Sequence, residues 1–433
     1  MTPQSLKGLE SRLLHFLEDL LEPMGRSERR HWAQVYIQGL LLDGERKSIE
    51  PLAARVAGAD VQALRQLVGQ SPWTVEEVQR RLAHKIVDLL SEPEVWIVDE
   101  TAFPKAGEHS VGVARQYCGT LGKVANCQLA VSLHWSSAEA SCPILWRLYL
   151  PRVWLEDAPR AAEVKVPPGT IYRSQTDLAL EVIDQAVAWE LPRLPVVADA
   201  YYGNDFDFRQ ELRERQLPYA VQVEPSTVVW TEDPNLPGPL LQKPRGRPRK
   251  HPPARDLPPV RDLRAVAEQL PAAAWHSVTW RQGSRGPQRS RFAKLPVWAA
   301  HRWKREHRPR VREWLLVEWP AESSAPVKFW LAQLGPQPLG LRRLVRTAKA
   351  RWRVELDYRE LKDELGLDHY EGRHWLGWNH HVCLVTLAYA FLRSEQARLK
   401  KNFWCDLAGD PEEPANPARA AGGTMPIVPD SVP

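Results

Sequence analysis

The sequence of 433 residues contains no run of eighteen apolar residues, so it predicts no membrane-spanning helix. Its five cysteines include no Cys-x-x-Cys pair, which argues against a zinc knuckle and against a disulfide framework. The N-terminus mixes charged residues into a helical pattern and does not resemble a signal peptide. These absences favour a protein of a reducing compartment, and we expect a cytoplasmic location.

Positive charge is concentrated in one segment of the chain. Between Lys243 and Arg310 there are 18 Lys and Arg against 4 Asp and Glu, a local balance of +14. The whole chain carries +5, which leaves a balance of −9 for the rest. Such a basic block usually binds a polyanion, although a solvated basic insert would have the same composition.

Residues 1–90 are predicted to be helical. Leucines recur at helical spacing near the N-terminus, and breaks at Gly58 and Pro72 separate shorter helices. Short helices joined by tight turns are typical of a helix-turn-helix DNA-binding domain, and equally of a bundle that packs on the next domain. We assign 1–90 to a helical N-terminal DNA-binding domain, with the bundle as the open alternative.

Strand patterns begin near residue 94. The segments EVWIVDE, NCQLAVSLHW and PILWRLYLP predict three strands, and a capped helix is expected to begin near Ser174. The segments LPVVADA and PYAVQVE predict two more strands around a second helix. The order β-β-β-α-β-α-β is that of an RNase H-like core, an α/β fold with a mixed five-stranded sheet and flanking helices. Its sheet brings the ends of the first and fourth strands together.

The rest of the chain divides by composition. The core would comprise 91–224 and a helical part at 336–405, with a basic, β-rich insertion at 225–335 between them. Residues 406–433 hold many prolines and few apolar residues, so we expect a disordered tail.

Three carboxylates stand out against this pattern. Asp99 ends the run VWIVD, Asp199 follows the run LPVVA, and Glu355 lies on the late helix RWRVELDYRELK. Carboxylates are the ligands that Mg²⁺ prefers, and a two-metal phosphoryl-transfer site needs them on both sides of the reacting phosphate. We therefore predict that Asp99, Asp199 and Glu355 bind two Mg²⁺ ions, with Mn²⁺ able to substitute. Glu100 ranks lower, because neighbouring strand residues point to opposite faces.

Two cations accompany Glu355. Arg351 and Lys362 stand four residues before it and seven after it, which places all three on one helix face. Arg351 can grip a phosphate with its planar guanidinium, and Lys362 offers a point charge two turns away. The alternative is a set of surface ion pairs, each contributing about 0–1 kcal/mol.

Other cations are predicted to contact DNA. They are Lys105, Arg115, Lys123, Arg245, Arg247, Arg249 and Lys250. The first three belong to a loop that can follow the DNA backbone, or to an ordinary surface hairpin. The last four belong to KPRGRPRKHPP, which is either an AT-hook that fits the narrow minor groove or a linker that contacts phosphates without preference. Nearby, Trp298, Trp303 and Trp314 can stack on unpaired bases or fill a core.

These motifs resemble those of the DDE transposases of bacterial insertion sequences, in the insertion-sequence-four-like superfamily. The glutamate motif of that group is Tyr-(2)-Arg-(3)-Glu-(6)-Lys. The positions here are Arg351, Glu355 and Lys362, with Ala348 in place of the tyrosine. The segments DET at 99–101 and DAYYG at 199–203 resemble the surroundings of the first and second acids.

The resemblance implies a DNA transposase that cleaves the ends of an insertion sequence and joins the 3′-OH ends to target DNA. Its partners would be double-stranded DNA, from terminal inverted repeats and target, and further copies of itself in a homodimer or larger synaptic complex. It would act at the nucleoid of a bacterial cytoplasm, and its insertion at 225–335 would contact DNA ends. The alternatives are a non-catalytic DNA-binding descendant and a metal-dependent endonuclease without strand transfer.

Overall fold

The structure is a computed structural model that describes residues 3–90, 92–234, 258–283, 286–300, 311–335 and 340–408. It has the α/β class that the sequence predicts, with helices at both ends of the chain and a large mixed sheet between them. The predicted sites outside the described residues are Arg245, Arg247, Arg249, Lys250, Trp303 and the tail from 409 onward. Within the described residues, no helix is both long and apolar enough to cross a membrane.

Helices occupy the start of the chain. They are α1 (Pro3–Leu21), α2 (Ser27–Leu41), α3 (Ile49–Ala53), α4 (Val61–Gly69) and α5 (Val75–Leu89). Gly58 adopts a φ of 76° in the turn before α4, and Asp60 caps that helix by accepting a 2.7 Å hydrogen bond from the N–H of Ala63. The helices α2, α4 and α5 bury apolar faces against the helix Trp375–Ala408, as a packed bundle does. DNA binding by this region stays a prediction.

The central sheet begins after this bundle. Its first strands are β1 (Pro93–Pro104), β2 (Ala114–Cys118), β3 (Lys123–Ser137), β4 (Ser141–Leu148), β5 (Val196–Ala198) and β6 (Tyr219–Val223). The helices between them are α6 (Arg152–Leu155), α7 (Ala158–Glu163), α8 (Gln175–Ala188), α9 (Ala200–Gly203) and α10 (Phe206–Glu214). β3 runs antiparallel to β1, whereas β5 and β6 run parallel to it, which is the mixed order expected of an RNase H-like core. Ser174 and Asp177 form the predicted capping box of α8.

The strands that follow β6 extend the same sheet. They are β7 (Val228–Trp230), β8 (Arg261–Asp262), β9 (His276–Gly283), β10 (Gly286–Ala299), β11 (Arg312–Trp319) and β12 (Lys328–Gln333), with the short helix α11 (Leu263–Glu268). β12 pairs with β6, so that Phe329 lies opposite Val223. The described residues therefore form one twelve-stranded sheet, because the inserted strands continue the edge of the five-stranded core.

Three helices complete the described chain. They are α12 (Leu341–Lys349), α13 (Trp352–Asp363) and α14 (Trp375–Ala408). Val345 on α12 and Val354 on α13 pack in one apolar cluster with Ile97 of β1 and Val197 of β5. This packing places the start of α13 beside the point where β1 and β5 separate.

Candidate active site

Asp99 and Asp199 meet where the parallel pairing of β1 and β5 stops. The last paired residues are Ile97 and Val197, and Asp199 follows β5 directly. β1 itself continues to Pro104 in its pairing with β3. The strand predicted for EVWIVDE is therefore longer than expected, and only its parallel neighbour β5 ends beside Asp99. The two carboxylates nevertheless lie side by side, as the strand order predicts.

The turn after Asp199 depends on close packing. The Oδ1 atom of Asp199 accepts a 2.9 Å hydrogen bond from the backbone N–H of Tyr201, at the start of α9. A Cβ atom at Gly203 would lie 1.8 Å from the carbonyl oxygen of Gln222 on β6. Only glycine allows α9 to approach the sheet this closely, which explains the glycine of the DAYYG segment.

Glu100 is a third member of this cluster. One carboxylate oxygen each from Asp99, Glu100 and Asp199 lie within 4.8 Å of one another. Ideal strand alternation predicts that Glu100 points to the face opposite Asp99 and ranks it lower as a ligand. That expectation fails here, since β5 ends at Ala198 and leaves the edge of β1 open beside both acids. The two consecutive acids Asp99 and Glu100 were the pattern that could have indicated a role for Glu100.

Burial makes the charged forms of these acids unfavourable. Burial, together with the charges of Glu100 and Asp199, raises the pKa of Asp99 to about 8, although Arg351 acts to lower it. Burial and the charge of Asp199 raise the pKa of Glu100 to about 7. The Oε2 atom of Glu100 is buried without a hydrogen-bond partner. The cluster therefore needs a counter-charge if all its carboxylates are to be ionised.

Arg351 is the nearest such charge. Its Nη1 atom donates a 3.1 Å hydrogen bond to Oδ2 of Asp99, and its Nη2 atom lies 4.0 Å from Oε1 of Glu355. Burial lowers the pKa of Arg351, but the charges of Asp99, Asp199 and Glu355 outweigh it and raise the pKa above its ordinary value. Arg351 thus lies between the carboxylate cluster and the late helix.

Glu355 lies at the rim of this arrangement. It is on the first turn of α13, its side chain is 70% exposed, and its carboxylate belongs to no acidic cluster among the described residues. Its contact with the cluster runs through Arg351. The structure therefore brings Asp99 and Asp199 together and places Glu355 beside them, while metal binding by Glu355 stays a prediction.

The predicted DNA-binding lysines near the cluster make internal contacts. The Nζ atom of Lys362 donates hydrogen bonds to the carbonyl oxygen of Ala102 at 2.8 Å and to the hydroxyl of Thr120 at 3.0 Å. The Nζ atom of Lys105 donates to the carbonyl oxygen of Tyr370 at 2.6 Å. Burial lowers the pKa of both lysines. Lys362 therefore links α13 to β1 and to the turn of the β2–β3 hairpin, and Lys105 links the end of β1 to the segment before α14.

The hairpin of β2 and β3 presents the other two predicted cations. Arg115 and Lys123 are exposed on it, and Thr120 in its turn donates a 3.1 Å hydrogen bond to the carbonyl oxygen of Ala102. The hairpin turn is therefore attached to β1 three residues beyond Asp99. This attachment places two exposed cations on the element next to the carboxylate cluster.

The donor set fits a divalent cation. Three carboxylates supply hard oxygen ligands of the kind that Mg²⁺ and Mn²⁺ prefer. The buried Oε2 atom of Glu100 lacks a partner that a bound cation would provide. Asp99, Glu100 and Asp199 are thus suited to hold a metal ion.

Comparison with known proteins identifies the family of this chain. A family model described as a DDE superfamily endonuclease matches residues 19–287, more than half of the chain. The chain belongs to this family. The matched region of the chain includes Asp99, Glu100 and Asp199, and it ends before Glu355.

One curated relative narrows the comparison. The chain is 29% identical over 194 residues to a probable transposase for the insertion sequence element IS701 of Microchaete diplosiphon. The match covers 44% of this chain and 48% of the relative. The chain therefore spans about half the length of the curated protein that it matches.

Proposed function

We propose that this chain is a DNA transposase that cleaves the ends of an insertion sequence and joins the freed 3′-OH ends to target DNA. The observation that carries the proposal is the convergence of carboxylate oxygens of Asp99, Glu100 and Asp199 within 4.8 Å, where the parallel pairing of β1 and β5 stops in a DDE superfamily endonuclease. The similarity to a probable insertion-sequence transposase supports it.

The carboxylates define the proposed metal site. Asp99, Asp199 and Glu355 would hold two Mg²⁺ ions, for which Mn²⁺ can substitute, and Glu100 adds a fourth carboxylate. Such a pair of ions, when bound, activates the attacking oxygen and stabilises the leaving oxygen of an in-line displacement at phosphorus. The same residues would serve both the hydrolysis of the element ends and the attack of the 3′-OH on target DNA.

The cations of the site would position the phosphate. Arg351 is held by Asp99 through Nη1, which leaves its second edge facing Glu355 and the surface. A guanidinium in this position can bind a phosphate oxygen beside the carboxylates. Lys362 and Lys105 would contact DNA only by exchanging their present bonds, whereas Arg115 and Lys123 are already exposed on the neighbouring hairpin.

The proposed partners are double-stranded DNA and further copies of the chain. Terminal inverted repeats would be bound by the insertion at 225–335 and by the N-terminal helices 1–90, and the target duplex would meet the carboxylate cluster. Joining two ends to one target requires a homodimer or a larger synaptic complex. The proposed place of action is the nucleoid of a bacterial cytoplasm.

The proposal is tested with three single variants of the full chain. Asp99→Ala, Asp199→Ala and Glu355→Ala should each abolish Mg²⁺-dependent cleavage of an end-containing duplex while leaving its binding largely intact. Glu163→Ala removes an exposed acid from α7, outside the regions proposed to bind DNA, and serves as the matched control, which should cleave like the wild-type protein. Near wild-type cleavage by any of the three variants would contradict the proposal.

A second assay separates the proposed transposase from a nuclease. Donor duplexes with free 3′-OH ends are incubated with supercoiled target, and joined products are measured. Cleavage without joined products would support a metal-dependent endonuclease without strand transfer, a reaction that the family description also allows. DNA binding indifferent to Mg²⁺, with no cleavage of any duplex, would support a non-catalytic DNA-binding protein.

A further inference from the structure

A buried chain of hydrogen bonds connects α13 to the strand beside Asp99. Ser132 on β3 lies directly opposite Asp99 on β1. The Oγ atom of Ser132 lies 2.7 Å from the hydroxyl of Tyr358 and 2.8 Å from Nε2 of His134. The Nδ1 atom of His134 lies 2.8 Å from Oδ2 of Asp357. The chain thus begins and ends on α13 and passes through two residues of β3.

The direction of these bonds can be assigned. Because the carboxylate of Asp357 can only accept, Nδ1 of His134 donates the hydrogen bond to it. In the tautomer with its proton on Nδ1 alone, Nε2 accepts from the hydroxyl of Ser132. The oxygen of Ser132 then accepts from the hydroxyl of Tyr358. Every polar atom of the chain is satisfied in this arrangement, so each member fixes the orientation of the next.

Asp357 is held from several elements at once. Besides His134, it accepts hydrogen bonds from the hydroxyl of Ser141 at 2.6 Å, the hydroxyl of Tyr389 at 2.8 Å and Nη2 of Arg393 at 3.4 Å. These donors come from β4 and α14, and together with β3 they surround the carboxylate. Asp357 is 1% exposed, so α13 is locked to both the sheet and the last helix at this residue.

Tyr358 and Asp357, the two ends of the hydrogen-bond chain, hold α13 on two different faces. Tyr358 stands three residues after Glu355, nearly one helical turn, and therefore lies on the same face. Asp357 lies on a different face, toward β4 and α14. A helix held at two adjacent residues with different directions can neither slide along the sheet nor rotate on it.

Apolar packing by itself does not provide this restraint. Val354 and Leu361 are fully buried and attach α13 to the core, but apolar contacts have little directional preference. Hydrogen bonds of fixed geometry in a buried site specify one arrangement. The position of Glu355, which is 70% exposed and approaches the cluster at the 4.0 Å contact with Arg351, depends on that arrangement.

We propose that the chain from Tyr358 through Ser132 and His134 to Asp357 holds α13 in the register from which Glu355 joins Asp99 and Asp199 in metal binding. The inference rests on the proposed function, since it assigns these four residues to the construction of the metal site. They are positioning residues, because they act through Glu355 and contribute no ligand of their own.

The test uses two variants that make the same chemical change. Tyr358→Phe removes the hydroxyl that bonds Ser132. Tyr219→Phe removes another buried hydroxyl, which donates a 2.7 Å hydrogen bond to Glu313 from the start of β6. Mn²⁺ binding to each full-length variant is titrated by electron paramagnetic resonance, and cleavage of an end-containing duplex is followed over the same Mn²⁺ range.

The two variants should differ in metal binding. Tyr358→Phe should raise the half-saturating Mn²⁺ concentration about 10-fold, as the loss of an outer partner of a metal site does. Excess Mn²⁺ should restore much of its cleavage rate. Tyr219→Phe should bind Mn²⁺ like the wild-type protein, although its thermal midpoint should fall at least as far as that of Tyr358→Phe, because its lost hydrogen bond was to a carboxylate.

Further variants keep the test decisive. Ser132→Ala removes the same link from the other side, so the double variant with Tyr358→Phe should bind Mn²⁺ no worse than either single variant. His134→Asn, which keeps a donor toward Asp357, should bind Mn²⁺ better than His134→Ala. Additive losses in the double variant would show that the two side chains do not act as one link, and would overturn the inference.

The outcomes separate this inference from the proposed function. If the wild-type protein binds and uses Mn²⁺ through Asp99 and Asp199, but Tyr358→Phe matches Tyr219→Phe in Mn²⁺ binding, the positioning role is overturned and the proposed function stands. If the wild-type protein itself shows no Mn²⁺ binding or cleavage that depends on Asp99, the proposed function is overturned.

Discussion

Asp99 and Asp357 are both buried acids, yet their surroundings have opposite effects. Asp99 is 7% exposed and Asp357 is 1% exposed. Burial and two neighbouring acids raise the pKa of Asp99 to about 8. Burial also opposes ionisation of Asp357, but hydrogen bonds from His134 and Ser141 lower its pKa below the ordinary value. The number of donors, more than the depth of burial, separates the two sites.

The opposite pKa shifts indicate that Asp99 and Asp357 have different roles. Asp357 is satisfied by protein donors from three elements, so it stabilises the packing of α13. Asp99 shares its space with Glu100 and Asp199 and has one nearby guanidinium, so its ionised form favours a bound cation. Perturbed acids of the second kind are typical of functional sites.

The largest expected effect compares the two acids in stability. Asp357→Asn should lower the free energy of unfolding by about 3–5 kcal/mol, because it leaves buried donors and Arg393 without their anion. Asp99→Asn should lower it little or raise it, because a carboxyl group with a pKa of about 8 is largely uncharged at pH 7.5 and the amide replaces a neutral group. Urea denaturation of the metal-free proteins at pH 7.5 measures both. Equal losses of unfolding free energy in Asp357→Asn and Asp99→Asn would contradict the different roles of the two acids.

The next effect is stabilisation by metal. Mg²⁺ at 100 times its dissociation constant should raise the free energy of unfolding of the wild-type protein by about 2.7 kcal/mol. Asp99→Asn and Asp199→Asn should lose this gain, whereas Asp19→Ala, with its exposed side chain, should keep it. Thermal denaturation across a Mg²⁺ series measures the gain. A similar gain in Asp99→Asn would place the metal elsewhere.

A smaller effect concerns single donors to Asp357. Ser141→Ala removes one of the hydrogen bonds to this carboxylate and should cost about 1.5 kcal/mol, the lower end for a bond to a charged group. The loss should be clearly smaller than that of Asp357→Asn, since the remaining donors stay in place. A loss as large as that of Asp357→Asn would mean that Ser141 has a further role, and urea denaturation decides between them.

The most gradual effect is a dependence on pH. The raised pKa of Asp99 and Glu100 means that the metal-free native state keeps protons that the unfolded chain has lost, so these acids favour folding less as pH rises from 4 toward about 8. One such group changes stability by up to about 1.4 kcal/mol per pH unit. Stability of the wild-type protein should therefore fall relative to Asp99→Asn between pH 5 and 7.

The comparison with Asp99→Asn is needed because other groups titrate in the same range. Burial lowers the pKa of His381 to about 4, and this favours folding more as pH rises from about 4 to 6.5. Asp357 contributes stability that is lost only when pH falls below its ordinary value of 3.8. Both contributions cancel in the difference between wild-type protein and variant. A difference independent of pH would contradict the raised pKa of Asp99.

The sequence predicts the meeting of Asp99 and Asp199 because two apolar runs end in acids and the strand order brings those runs together. It also predicts the capping box of Ser174, which depends on local chemistry alone. It failed at Glu100, since ideal alternation does not describe a strand whose parallel neighbour has ended.

The long-range hydrogen bonds of the protein could not be predicted from the sequence. The partner of His134 is 223 residues away, and nothing in the segment SLHW indicates that its histidine faces a helix. The strands of the insertion were likewise predicted to form a separate unit. Their pairing with β6 depends on the edge of the core sheet being free, and the sequence does not indicate this. Such contacts follow from the assembled fold and leave no periodic pattern.

The packing of α14 has a consequence for the order in which the protein matures. The helices α2, α4 and α5 bury apolar faces against α14, which the ribosome makes several hundred residues later. At about 5–20 residues per second, the earlier helices wait tens of seconds for their partner. A nascent chain released before α14 is made would leave them without much of their core, so these helices become fully folded only after α14 has been synthesised.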